Sequence, residues 1–398
     1  MVVDEHALTV GRAVRALREQ AGRFSRIEFA RACHTSESHV KNIENGHKRP
    51  SPQLLAAIET ELGTNGLLAE LAAAAGSAVR RRSVLRSLAL MGVFLPGTEA
   101  SGPDVDGDQS AAVAAVTASL RVLDNQHGGG HAHHPIVAYF TNVAHPAVRH
   151  AATETARTAA AAAAAELALL AGWSAFDAGH HASARTYFDE ATSLAAAAAM
   201  PLLACEAVIA ASNQAAIGGD ATGAARHAEA AIAAATGTGD RALAGEARMA
   251  LAHAHALAGD TRAAAAAMNA AARDMDRADA PGAPAWIGHV GPAWFDGRIA
   301  QCLHLAGDRA NAAAAAARTA ERTKAPSRGT ALNLAHTALV MFAADRPDEG
   351  ARYAGDAWTA GRSVQSARLD DYWWRIGRAA DRFAGIDAVA ALRETMHH

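Results

Sequence analysis

Residues 25–50, SRIEFARACHTSESHVKNIENGHKRP, hold side chains of the kinds that read a nucleic acid, at helical spacing. Val40 and Ile43 mark the inward face of a short helix expected over residues 37–45. Glu37, Ser38, His39, Lys41 and Asn42 are then left facing outward. An Asn amide pairs with two edge atoms of adenine, Lys with guanine, and a carboxylate accepts from the cytosine amino group. Ser36 and Ser38, at the helix N-terminus, are placed to donate to phosphate. Lys48 and Arg49, in the basic loop that follows, suit the phosphate backbone and would make binding salt-dependent.

Such side chains read bases only when a rigid scaffold holds them. Residues 9–71 read as five short helices. Thr9 is expected to cap the first, which runs to Gln20 with Val10, Val14 and Leu17 on one face. Ser25 caps a second helix with Ile27, Phe29 and Ala30 inward, and a turn follows at 33–35. Ser36 caps the third, and Gly46 stops it. Leu54, Leu55, Ile58 and Leu62 pattern a fourth over Pro52–Leu62, and a fifth is expected over about 66–75.

The ordered pattern resembles the helix-turn-helix of the XRE/Cro-repressor family. Phe29-Ala30 stand where the family has an L-A pair, and Thr35-Ser36 where its turn ends. Val40, Ile43, Glu44, Gly46 and Pro50 match the I-x-x-I-E-x-G-x-x-x-P run. Arg26 departs from the usual Gln and would favour a phosphate or guanine. The resemblance implies a five-helix, lambda-repressor-like domain whose third helix enters the major groove of double-stranded DNA. It also implies a homodimer on a pseudo-palindromic operator, and a structural rather than DNA-contacting role for Glu44. A generic small bundle with a polar face is the bland alternative. The complete ordered pattern weighs against it.

The rest of the chain is alanine-rich, with only 5% aromatics and no alternating strand pattern, so an all-α protein is expected. The expected organisation is a DNA-binding domain at 8–75, a linker at 76–110 and a helical-repeat domain at 111–398. The linker holds Arg80, Arg81, Arg82 and Arg86, then an uncharged stretch at 87–96. That stretch is too short for a bilayer, which needs about 20 residues. A helix is expected at 111–124, then a Gly/His-rich turn at 126–134 and another helix from Pro135.

Four segments recur at 177–191, 217–231, 257–271 and 305–320, with a degenerate fifth at 343–357. Their turn glycines Gly179, Gly219, Gly259 and Gly307 are 40, 40 and 48 residues apart. A helix ending in Gly, an Asp or His, then an alanine-rich helix makes one hairpin per repeat. Such hairpins stack into a tetratricopeptide-like solenoid with a concave face. The three-proline insertion at 279–292 lengthens one connection.

Within the solenoid, Trp173, Tyr187, Trp294 and Trp373 are candidates to line a groove, and Asn213 and Asn333 to hold a peptide backbone. Most aromatics at helical spacing are core, so these are weak candidates. The resemblance extends to regulators that join this head to such repeats, which implies a peptide or small-molecule effector. It also suggests an actinobacterial type, in keeping with the Ala/Arg/Gly-rich composition.

His127, His131, His133 and His134 cluster without a metal-site spacing and read as a polar turn, so no metal or cofactor is expected. No GxSxG, P-loop, HExxH or dinucleotide motif points to an enzyme. Cys33, Cys205 and Cys302 are far apart and odd in number, which fits a reducing cytoplasm, and no membrane partner is expected. Residues 1–90 hold 13 Lys/Arg against 9 Asp/Glu, whereas the remainder holds 24 against 31. A basic head on an acidic body suits a DNA-contacting module. The alternative from another class is a protein-interaction scaffold whose head no longer binds DNA.

Overall fold

The structure, a computed structural model, describes residues 5–20, 25–62, 68, 72, 106–278, 284, 286–323 and 327–397. Every regular element among them is a helix. The chain divides into two compact units, Met1–Val105 and Asp106–His398.

The first unit holds α1 (Glu5–Gln20), α2 (Arg26–Ala32), α3 (Glu37–Glu44) and α4 (Pro52–Leu62). Helix α1 packs on α3 and α4, and α2 packs on α3. Val10, Val14, Leu17, Phe29, Val40, Ile43 and Ile58 form one buried core. Ser25 caps α2 in a full capping box: it accepts from Glu28 N, and Glu28 returns the bond to Ser25 N. Three expectations need correction. Helix α1 begins at Glu5, so Thr9 lies inside it and is buried rather than capping. The good helix formers Glu5 and Ala7 favour the backward extension, and Ala7 joins the buried set. Ile27 is 49% exposed: two residues along α2 turn it about 200° away from buried Phe29. Helix α3 ends at Glu44, one residue short of the expected 45, with Asn45 as its C-cap. The expected fifth helix lies almost wholly outside the described residues, as does the linker with its arginines.

The second unit opens with α5 (Asp106–His127), α6 (Gly129–Tyr139), a π-helical turn (Phe140–Ala144) and α7 (His145–Arg149). Five helical hairpins follow: α8 (Glu154–Asp177) with α9 (His181–Ala197), α10 (Pro201–Ile217) with α11 (Ala221–Thr238), α12 (Arg241–Leu257) with α13 (Thr261–Met275), α14 (Pro292–Leu305) with α15 (Arg309–Arg322), and α16 (Arg328–Ala343) with α17 (Pro347–Gly361). Helix α18 (Ala367–Ala380) packs on α16, and α19 (Asp387–His397) packs on α17, closing the stack.

The hairpin turns fall where the repeat spacing placed them. Gly179, Gly219, Gly259 and Gly307 have φ of 83°, 81°, 81° and 78°. No neighbour crowds Gly219, Gly259 or Gly307, so the left-handed backbone alone explains the glycine there. In the degenerate fifth turn Asp345 takes this conformation, at φ 59°. Asp220, Asp260 and Asp308 cap the second helix of three hairpins through backbone N–H bonds three residues on.

The first helices of successive hairpins, α8, α10, α12, α14 and α16, pack on one another and continue into α18. They form one layer, and the second helices cover its other side. Alanine makes these approaches close, and Gly172 lies directly under the Phe188 ring. Helix α8 is long and apolar enough to cross a membrane, but 72% of that stretch is buried inside this unit.

The Gly/His segment is not a long turn. Only Gly128 interrupts the helix, and residues 129–134 already belong to α6, with Pro135 inside it. The glycines serve a close approach. A Cβ on Gly129 would lie 2.3 Å from the Ser174 carbonyl oxygen, and one on Gly128 2.4 Å from that of Gln365. Gln365 N donates to His127 O at 2.8 Å, and Gly130 N donates to Gln365 O at 2.9 Å. The start of the repeat unit is thereby latched to its end. Arg328 on α16 reinforces the latch with a two-pronged bond to Asp124 on α5, at 3.0 and 2.9 Å.

Candidate functional site

Helix α3 begins at a well-formed cap. Ser36 Oγ accepts from His39 N at 3.2 Å and lies 3.1 Å from Ser38 Oγ. Glu37, Ser38, Lys41 and Asn42 are exposed, and Ser36 is exposed beside them. His39 is half-buried, its Nδ1 3.1 Å from Thr35 Oγ1. The loop after α3 folds back on the helix end, where Asn42 O accepts from His47 N at 2.8 Å and Lys48 N at 3.2 Å. Lys48 and Arg49 are exposed on that loop. One face of the first unit thus gathers an anionic, a cationic, an amide and two hydroxyl side chains. Buried Val40 and Ile43 fix the helix behind them.

Arg26 differs from this group. Its Nε donates to Glu44 Oε2 at 3.0 Å, while Arg18 Nε donates to Glu44 Oε1 at 2.7 Å. Glu44 is 3% exposed and ties α1, α2 and α3 together. Arg26 is therefore committed through one nitrogen to the scaffold, and its side chain is about a third exposed. It orients the start of α2 in addition to any contact its outer nitrogens make.

Of the six groove candidates, Asn213 and Asn333 both meet α14, the first through Arg298 and the second beside Gly297. Trp173 stacks edge-on against Phe176 and Phe188, and Tyr187 lies against Phe140. Trp373 packs edge-on against Trp358 in the core around α16 to α18. Asn333 reaches Thr323 Oγ1 at 3.5 Å. Asn213 is buried and accepts from Arg298 Nη2 at 2.5 Å. Trp294 sits edge-on to His289. An open groove of about 640 Å³ lies beside α15, α16 and α17; none of the six lines it, though Thr323, which Asn333 meets, does.

Polar residues that the sequence reading passed over lie on the packed first helices. Glu206 on α10, Glu246 and His253 on α12, Arg298 on α14 and His336 on α16 are buried or half-buried. Burial, then the Glu246 charge, pushes the Glu206 carboxyl well above the usual carboxylate range. Burial lowers Arg298, and it drives His253 and His336 down to about 3. Arg298 adds to the effect on His253, as His304, Arg375 and Arg298 do on His336. A signal did exist in the sequence. Glu166, Glu206 and Glu246 each stand thirteen residues before their turn glycine, at Gly179, Gly219 and Gly259. A recurring Glu in an alanine-rich inner helix marks one polar stripe along the stack.

These histidines set a pH dependence. Both are neutral when folded and take up a proton below about 6.5 when unfolded, so the unfolded chain binds more protons as pH falls. Their stability is fully present above the unfolded pKa and is lost as pH drops toward 3. At pH 5 the loss is about 2 kcal/mol for each. Urea unfolding of the full chain at pH 7 and pH 5 reads it, and the H253Q/H336Q double variant is expected to flatten the difference. An equal pH response in that variant would sink the assignment.

Residues 9–72 match a family described as Helix-turn-helix domain. No curated protein matches the chain. Among solved structures, that of Bacillus thuringiensis PlcR in complex with the peptide PapR7 and DNA is similar at 11% identity and a TM-score of 0.27. The match covers 68% of this chain and 95% of that one. Similarity at this level bears on neither ligand nor activity.

Proposed function

We propose that this chain is a sequence-specific, DNA-binding transcription regulator of XRE type that reads its operator with α3. The observation that supports it is the exposed α3 face, with Glu37, Ser38, Lys41 and Asn42 beside Lys48 and Arg49, on a helix whose capping Ser36 is itself exposed. Asn42 and Lys41 are the base readers, Ser36 and Ser38 position the helix on the backbone, and Lys48 and Arg49 supply salt-dependent affinity. His39 and Arg26 stand at the edge of this contact. The chain acts in the cytoplasm as a homodimer on a pseudo-palindrome. Its tetratricopeptide-like body answers to a peptide or small molecule held by the inner helices, without catalysis.

Selection of bound fragments from genomic DNA tests the reading. A short, two-fold operator is expected. The K41A/N42A variant loses about 100-fold or more in specific affinity while its binding to random duplex is little changed, since each base-reading pair is worth about 1–3 kcal/mol. K48A weakens all sequences alike and reduces the salt slope by about one. Binding no tighter to selected fragments than to random duplex would overturn the reading and leave an interaction scaffold.

A further inference from the structure

We infer that Glu206, Glu246 and His289 form a binding site for one divalent transition-metal ion inside the repeat body. The ligand atoms of these three residues lie within 4.8 Å of one another. Glu206 and Glu246 are 0% and 1% exposed. Both carboxylate oxygens of Glu206 and Oε2 of Glu246 have no hydrogen-bond partner. Two carboxyl groups buried side by side with three bare oxygens are costly unless a cation or a proton lies between them. With one ligand atom from each of the three residues gathered so closely, a cation fits between them.

The third group selects the kind of ion. His289 Nε2 faces Glu246 Oε1 at 2.9 Å. His289 is held on a connection anchored by buried Trp286 and Ile287. An imidazole nitrogen directed at a buried carboxylate pair can complete a mixed nitrogen and oxygen donor set. Two carboxylates with one imidazole suit zinc or manganese better than calcium or magnesium, whose sites are built from oxygen alone. Ligand bonds of about 2.0–2.2 Å would draw the three side chains together by a modest shift. His289 remains partly open on its outer side, which leaves a position for water.

The placement gives the ion a task. Glu206 and Glu246 come from neighbouring hairpins, α10 and α12, whereas His289 comes from the proline-bearing connection before α14. Trp286 and Ile287 on that connection are buried. An ion would bolt the connection to two inner helices. Whether the head binds DNA does not bear on this, and failure of either idea leaves the other standing.

The test uses the full chain, stripped with a chelator and titrated with Zn²⁺ and with Mn²⁺. One ion per chain is expected, with a higher thermal midpoint when loaded. E206Q and H289A are each expected to weaken binding by about 100-fold or more, beyond the 10–100-fold typical of losing a supporting neighbour. The H127A/H131A variant is expected to bind as the parent does. Circular dichroism reports whether each variant keeps its helices. A measurement on the unmodified chain stands apart from folding: the electron spin resonance of bound Mn²⁺ should show coupling to one imidazole nitrogen. No bound ion, equal binding by E206Q and H289A, or coupling to no nitrogen or to several would each overturn the site. The first of these outcomes would mean that a shared proton lies between the two carboxyls.

Discussion

Asp177→Ala is expected to open the latch that joins the two ends of the repeat body and to cost about 3–5 kcal/mol, the loss typical of removing one partner from a buried charge network. Asp177 ends α8 and is 1% exposed. Its Oδ2 accepts from Gly129 N at 2.8 Å, and its Oδ1 accepts from Ser366 Oγ at 2.8 Å. Arg328 Nη1 approaches Oδ2 at 3.4 Å. One carboxylate therefore joins four parts of the unit: α6, α8, α16 and the cap of α18. Alanine leaves Gly129 N and the Ser366 hydroxyl buried without this acceptor and removes a negative charge from beside Arg328. Amide hydrogen exchange on the full chain checks the result. Protection of Gly130 and Gln365, which bond each other across the latch, should fall far more than protection within α12 or α13. Asp177→Asn keeps the shape and one acceptor, so its loss should be smaller. Unchanged protection at Gly130 and Gln365 in the alanine variant would show that the latch stands on its backbone bonds and Asp124–Arg328 alone.

That latch also shows what the sequence could not reveal. The hairpins were legible because each turn is local: Gly supplies a left-handed backbone and Asp caps the next helix, within four residues. The third helix of the head was legible for the same reason, since Ser36, Val40, Ile43 and Gly46 act inside one short span. The latch pairs residues 127–130 with 364–366, and no local pattern marks such a contact. Of the three glycines, Gly128 does take a left-handed backbone, at φ 83°, while Gly129 and Gly130 serve a close crossing of chains by their small size. The aromatic groove candidates are half-buried and each meets another ring, so in an alanine-rich stack they also fill spaces that methyl groups leave. Trp173 against Phe188 is such a filler. The acidic stripe was present in the numbering of the repeats. It was overlooked because a Glu in a helix ordinarily faces water, and burial is settled only by which helices stack.

Glu44→Ala is expected to unfold the head while leaving the repeat body folded. Glu44 receives Arg18 Nε and Arg26 Nε, so three helices meet at one carboxylate in a unit whose apolar core is small. Removing one member of a buried ion network costs about 3–5 kcal/mol. A domain of some sixty residues has roughly 3–9 kcal/mol in total, so the loss is comparable with the whole stability. The expected reading is loss of exchange protection at Val14, Phe29 and Ile43, with the amides of α12 and α16 unaffected. Glu44→Gln keeps an acceptor for one arginine and should fall between. The comparison with K41A/N42A separates scaffold from reader. Both variants lose operator binding, but only Glu44→Ala loses the protected core. If Glu44→Ala kept its protection and lost only DNA affinity, Glu44 would belong to the contact surface. The arginines it holds would then have to be reassigned from scaffold to phosphate.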